Sequence, residues 1–297
     1  DEEKSRGLSL ESKVVRNRID QSSFDRSIKS NPGPLYSKKF VSRVTLGNFS
    51  DDLPKIKDYD WTIEVVVENL QIKQKVYEDV EKHRKPGTLI TSNTSGIPIH
   101  LMAEGRSEDF KKHFCGTHFF NPPRYLRLLE IIPTPHTDPE IVKFLMHYGD
   151  LFLGKTSVLC KDTPAFIANR VGVFAIMKVI DSMNKLNLNI DEIDKLTGPV
   201  IGRPKSATFR TSDVVGLDTL IKVAGNLFEG LQNDEGRKYF KLPEVVSKME
   251  QNKWLGDKTG QGFYKKVKGS GGKSEILALD LKTLEYRTQL KVKFATL

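Results

Sequence analysis

The chain has 297 residues, 38% of them hydrophobic and 29% charged, and 47 Lys plus Arg against 38 Asp plus Glu give a formal net charge of +9. This is an ordinary globular composition, and the length points to two cores rather than one. No stretch approaches the ~20 apolar residues that a membrane-spanning helix needs, so no membrane span is expected.

In chain order, Leu10–Ser30 places Val15, Ile19, Phe24 and Ile28 at helical spacing, with Lys13, Arg16, Arg18, Arg26 and Lys29 around them. Asn31-Pro32-Gly33-Pro34 ends this basic amphipathic arm, because proline cannot continue a helix. Val44–Phe49 reads as a strand, Trp61–Val67 as a second, Leu70–Arg84 as a helix, Thr88–Thr91 as a buried strand and Ile99–Glu104 as a short helix. Strands alternating with helices imply crossover units and a parallel sheet, with ligands beyond the carboxyl ends of its strands. Cys115–Phe120 and Leu128–Ile132 flank Asn121-Pro122-Pro123-Arg124-Tyr125, which leaves no room for a crossover helix and predicts an antiparallel hairpin. A helix at Pro139–Leu153 and a strand at Ser157–Lys161 follow. After Asp162 the pattern turns helical, at Ala165–Leu186, Ile190–Leu196, Asp213–Phe228 and Pro243–Gln251. The predicted domains are therefore 1–162, with the basic arm 10–30, and a helical 163–268. Residues 269–297 read as linker and tail: Lys265–Lys273 looks flexible, and Leu290, Val292 and Phe294 alternate as a strand without a partner.

His118 and Glu130 lie symmetrically about Arg124, so a simple hairpin register sets them opposite each other on one face, with Cβ atoms ~5 Å apart. A carboxylate-held imidazole is a general base with a fixed tautomer, although a structural ion pair would have the same pattern. Ser92-Asn93-Thr94-Ser95-Gly96 follows a buried strand, where it can meet a ligand or cap the next helix. Glu68 and Lys73 begin the helix before it, and their bland roles are a helix-start acid and a solvated lysine. Asn169-Arg170 falls inside an apolar helix, where a buried amide must find partners. The remaining histidines show no spacing suited to a metal, and none is expected. Cys115 and Cys160, inside apolar runs, read as reduced thiols of a cytoplasmic protein. Lys258–Tyr264 is glycine-rich but follows no strand, so a turn packing Phe263 and Tyr264 onto the helical domain is expected instead of a phosphate loop. The positive charge favours anionic partners; basic runs interleaved with aromatics are lacking, so a phosphate-bearing small molecule is favoured over nucleic acid.

From about Val44 to Lys265 the chain resembles the 3-hydroxyacyl-CoA dehydrogenases of fatty-acid β-oxidation. The resemblance is carried by Val67-Glu68-Asn69-Leu70, Ser92–Ser95, His118–Pro122, Leu129–Ile132, Lys161–Pro164 through Asn169-Arg170, Val215–Asp218 and the Gly260–Tyr264 turn, in that order. It implies an α/β fold with a Rossmann-like parallel sheet, an antiparallel hairpin and a helical second domain for substrate and dimer contacts. It implies NAD as cofactor, a 3-hydroxyacyl-CoA or 3-ketoacyl-CoA as substrate, and a homodimer formed through the helical domain. By the same resemblance His118 is the base, Glu130 orients it, and Ser95 and Asn169 hydrogen-bond the substrate. Asn121 lines the site, Glu68 and Lys73 approach the nicotinamide ribose, with Ser95 beside them, and the arm 10–30 guides coenzyme A. Two departures stand out. The family's opening strand and Gly-x-Gly-x-x-Gly turn, which hold the pyrophosphate on backbone amides, have no counterpart before Glu68. Residues after Gly269 resemble a junction into an enoyl-CoA hydratase domain. The chain thus reads as cut at both ends and as binding NAD weakly, with a non-catalytic acyl-CoA-binding module as the alternative.

Overall fold

A computed structural model describes residues 5, 7–9, 11–268 and 274–295. The chain forms two compact units, Asp1–Phe166 and Ile167–Leu297.

The first unit is built on one five-stranded sheet of β1 (Trp61–Glu64), β2 (Leu89–Ser92), β3 (Phe114–Phe119), β4 (Leu128–Pro133) and β5 (Thr156–Leu159), ordered as in the chain. β1, β2 and β3 pair in parallel, β3 and β4 antiparallel, and β4 and β5 in parallel. Successive strand residues point to opposite faces, and the core divides accordingly. Ile90, Phe114 and Ile132 pack on one side with Tyr77, Met102 and Phe110, while Leu89, Cys115, Leu129 and Ile131 pack on the other with Leu145. The covering helices include α4 (Leu70–His83), the short α5 (Ile99–Met102) and α6 (Glu108–Lys112), and α7 (Pro139–Leu151); the arm contributes α1 (Lys13–Arg16) and α2 (Arg18–Lys29), and α3 is Phe49–Asp52. Both cysteines are free and buried, and burial pushes each thiol up to about 12.

Three expectations need correction here. The arm is two helices, broken at Asn17. Val44–Phe49 is not a strand: Val44 is extended but no described strand pairs with it, and Asn48 caps α3 by accepting from the Asp51 amide. β1 stops at Glu64, because the next turn folds back locally: the Val66 amide donates to the Glu64 carboxylate and the Asn69 amide to the Val67 carbonyl.

The second unit contains α8 (Ala168–Leu186), α9 (Ile190–Leu196), α10 (Phe209–Val215), α11 (Leu217–Gly230) and α12 (Glu244–Gln251). The helix expected at Asp213–Phe228 is split at Gly216, whose φ of +96° only glycine adopts without strain. Phe263 and Tyr264 are buried as expected, held by amides that donate to the two oxygens of Asp213, at 2.8 Å each. The linker-and-tail reading of the end fails. β6 (Tyr264–Lys268), β7 (Ser274–Leu279) and β8 (Tyr286–Thr288) form a three-stranded antiparallel sheet, leaving 269–273 outside the described residues. Pairing explains it: Tyr264 is buried opposite the buried Ala278, and the run continues in register along β7 although Lys266 and Lys268 stay exposed. Leu290–Phe294 is irregular, because Leu290 is half exposed, its amide is directed to Asp191, and no described strand runs beside it.

The loop after β2 is anchored from a distance. The Asp162 carboxylate accepts the amides of Ile99 (2.6 Å) and His100 (2.8 Å) and contacts the His100 ring at 2.7 Å. It thereby caps α5, whose own N-cap, Pro98, has no side-chain donor or acceptor. Asp162→Ala should speed amide exchange at Ile99 and His100 by about tenfold, the equivalent of a typical helix cap of ~1 kcal/mol. Unchanged exchange would show that the turn is held by other contacts.

Candidate active site

β3 and β4 pair with His118 directly opposite Glu130, as their symmetry about Arg124 requires. The His118 Nδ1 lies 2.7 Å from Glu130 Oε2, and both side chains are buried. With an ionised carboxylate as acceptor, Nδ1 carries the proton, and Nε2 keeps its lone pair. Nε2 has no hydrogen-bond partner among the described residues. Phe120 and Phe166 wall the imidazole at ring distances of 4.4 and 5.8 Å.

The hairpin loop is tied down from two sides. Arg124 donates to the carbonyls of Gly33 and Leu35 at 2.8 and 2.7 Å, and the Lys155 ammonium donates to those of Leu126 (2.7 Å) and Pro123. Burial lowers the pKa of Lys155.

A second ionic cluster stands at the same end of the sheet, beyond the carboxyl ends of β1 and β2. Lys73 is buried, with its ammonium 2.8 Å from Glu64 Oε1, 3.3 Å from the Val66 carbonyl and 3.5 Å from Glu68 Oε2. Glu64 is equally enclosed: Tyr77 and Ser92 donate hydroxyls to its Oε2 at 2.8 and 2.7 Å. Glu68 Oε1 accepts from the Thr94 hydroxyl (2.6 Å) and the Ser95 amide (3.0 Å). The solvated-lysine reading of Lys73 is therefore wrong. The capping reading of Ser92–Gly96 also fails, since Ser92 and Thr94 serve the two carboxylates and Asp162 caps α5.

Of the residues singled out in the sequence, His118, Glu130, Glu68, Lys73, Ser95 and Asn121 all lie in the first unit. Ser95 and Asn121 are exposed, on the loops after β2 and β3, and the Asn93 side chain joins those loops by accepting the Phe119 amide at 2.8 Å. Asn169 is half-buried in the first turn of α8, in the second unit, where Arg170 pairs with Asp234. Glu64, Tyr77 and Ser92 went unread as a unit. The signal was present: an acid inside the otherwise apolar Trp61–Val67 run must find a partner, and Lys73 and Tyr77 share one helix face at i, i+4.

A nicotinamide dinucleotide fits this end of the sheet in part. Glu68, with a quarter of its side chain exposed, can accept sugar hydroxyls where parallel strands take ligands. Among the described residues no Gly-x-Gly-x-x-Gly turn follows a strand, so no amide cradle for a pyrophosphate is assigned. No group of three or more His, Cys, Asp or Glu among the described residues is placed to hold a metal ion. No helix among them is long and apolar enough to cross a membrane.

Comparison with known proteins gives concordant matches. The family model for the NAD binding domain of 3-hydroxyacyl-CoA dehydrogenase matches residues 10–163, and that for its C-terminal domain matches 166–266. A probable 3-hydroxyacyl-CoA dehydrogenase of Bacillus subtilis is 50% identical over 98% of this chain, which spans only 36% of that protein's length. One from Deinococcus radiodurans is 45% identical over 87% of this chain and 74% of its own. The crystal structure of M. tuberculosis FadB2 superposes with a TM-score of 0.72 at 27% identity, covering 86% of each chain.

The Glu64–Lys73 pair makes a stability test. Lys73→Met leaves a carboxylate that is 2% exposed without its counter-charge, which should cost roughly 3–5 kcal/mol. Exchange of the β1 and β2 amides under increasing denaturant measures it. A loss below ~1 kcal/mol would mean that Glu64 does not depend on Lys73 for its charge.

Proposed function

The chain belongs to the 3-hydroxyacyl-CoA dehydrogenase family, and from that premise we propose that it oxidises a 3-hydroxyacyl-CoA to the 3-ketoacyl-CoA with NAD, as a step of fatty-acid β-oxidation. The observation that carries the reading is the buried 2.7 Å contact between His118 and Glu130.

In this reading the substrate's 3-hydroxyl donates to His118 Nε2, which takes its proton as the C3–H bond breaks. NAD supplies the acceptor for the hydride. His118 becomes an imidazolium with both nitrogens protonated, and Glu130, already bonded to Nδ1, stabilises that charge without moving. The aromatic walls exclude water, which strengthens this stabilisation compared with bulk solvent. In the reverse direction His118 returns the proton to the ketone oxygen. Ser95 supplies a further hydrogen bond to the reacting end of the substrate, Asn169 keeps the substrate contact that the family resemblance gives it, and Asn121 borders the same end of the sheet. Glu68 holds the nicotinamide ribose by accepting its hydroxyls, and Lys73 acts from behind it.

The basic arm, with the exposed Arg18, Arg26 and Lys29, guides the anionic coenzyme A. A homodimer through the second unit is supported by Val200, Ile201, Val214 and Val215, all of which are at least half exposed there. A cytoplasmic location is supported by two free, buried thiols.

Turnover of 3-hydroxybutyryl-CoA, followed as NAD reduction, tests the proposal. His118→Gln should lower kcat by ~10²-fold or more, as loss of a general base does, and change substrate affinity far less. A kcat within a few-fold of the parent would remove His118 from the mechanism.

A further inference from the structure

Lys155 stands just before β5 and directly after Gly154, whose φ of +62° turns the chain away from the end of α7. Its amide donates to the Gly149 carbonyl at 2.8 Å, and the residue is only 8% exposed. Its ammonium reaches the hairpin loop, where it donates to the Leu126 carbonyl at 2.7 Å and to the Pro123 carbonyl. Among the described residues no other hydrogen-bond donor reaches either carbonyl, and no carboxylate pairs with the ammonium. The Phe119 ring, 5.9 Å from Nζ, offers the cation a π face.

A cation enclosed in this way is unfavourable. Burial without a counter-charge pushes its pKa down, and an apolar side chain of similar length would avoid that penalty. What an apolar side chain could not do is satisfy two loop carbonyls that have no strand partner. The loop begins at Phe120, whose ring lies 4.4 Å from that of His118, and continues through the exposed Asn121. Asn93 fixes its start through the Phe119 amide at 2.8 Å, Arg124 holds it to Gly33 and Leu35, and Lys155 holds it to the start of β5. His118 has its own support in the strand register and Glu130. Losing Lys155 would therefore loosen the groups beside the base and leave the base itself in place.

Resting on the dehydrogenase reading above, we propose that Lys155 is a positioning residue for the reaction: by gathering the Pro123 and Leu126 carbonyls it keeps Phe120, and with it Asn121, fixed against the His118 imidazole. A substrate hydroxyl then meets the base in one orientation. Lys155 touches no reacting atom and acts through the loop. Orientation at the reacting centre enters the rate of the bound complex more than the strength of binding, because the rest of the substrate is held elsewhere. The lysine is thus kept at a cost to stability for the order it gives the wall of the site.

Lys155→Met keeps the length of the side chain and removes its donors. With 3-hydroxybutyryl-CoA and NAD, kcat of the full chain should fall about tenfold while KM stays within about twofold, the split expected when alignment is lost and binding kept. Exchange of the Tyr125 and Leu126 amides, which donate to the Pro122 carbonyl at 3.0 and 3.1 Å, should quicken as the loop opens. Nitrogen-15 spectra should show the His118 tautomer unchanged from the parent. Phe120→Leu combined with Lys155→Met should lose no more kcat than the worse single variant, since both act on the same wall. An unchanged kcat alongside quickened exchange would reduce Lys155 to a loop anchor and overturn the inference. A rise in KM alone, additive losses in the double variant, or an altered His118 tautomer would also overturn it. If Lys155→Met does not fold, Lys155→Gln keeps one shorter donor and must show the same split in smaller measure; a parental kcat there overturns the inference too. A parent that does not oxidise the substrate would contradict the dehydrogenase reading itself, whereas an active parent with any of the contrary results contradicts the role of Lys155 alone.

Discussion

A carboxylate with no water around it has to be met by donors, and Glu130 is completely buried in the middle of a sheet. Its partner His118 comes from the facing strand, and the contact exists only in the register that sets the two opposite each other. A slip of one residue would turn the imidazole to the other face of the sheet. Much of the first unit serves that register. β5 pairs along β4 and encloses Glu130 from the far side, with Glu130 opposite Val158. Arg124 and Lys155 bind the carbonyls of the loop and the segment next to it, where the backbone lacks strand partners. The same contact fixes which imidazole nitrogen carries the proton, so structure and chemistry rest on one bond.

Glu64 poses the same problem at the end of β1 and solves it differently, with a lysine and two hydroxyls in place of a histidine. Tyr77 and Lys73 come from α4, Ser92 from the end of β2, so satisfying one acid also docks a helix onto two strands. The two clusters share one end of the sheet because β1, β2 and β3 run parallel. In the proposed reading the first cluster offers the proton acceptor.

The sequence revealed what depends on local rules. Symmetry about Arg124 was enough to place His118 against Glu130, and the short span between Phe120 and Leu128 was enough to require a hairpin. Helix limits at Leu70 and Ile190 follow from Asn69 and Asn189, which cap them as their residue types suggest. What stayed hidden depended on pairing over distance. Lys73 in a first helical turn looks like a solvated lysine until the strand carrying Glu64 is laid beside it. Asp162 caps a helix more than sixty residues away. Lys265–Lys268 resembles a linker because none of its four side chains is buried, and because its partner strand lies across a glycine-rich stretch. Val44–Phe49 shows the reverse error: β-branched and aromatic residues suggested a strand, but a strand also needs a neighbour to bond to.

The central claim is that Glu130 holds His118 with the proton on Nδ1 and the lone pair on Nε2. Nitrogen-15 correlation spectra of the histidine rings in the free protein at neutral pH test it directly. The account requires His118 to appear as the Nδ1–H tautomer, with Nε2 unprotonated, and to revert to a mixture of tautomers when Glu130 is replaced by Gln. A His118 ring protonated at Nε2 and bare at Nδ1 would leave no base facing the substrate and would contradict the mechanism.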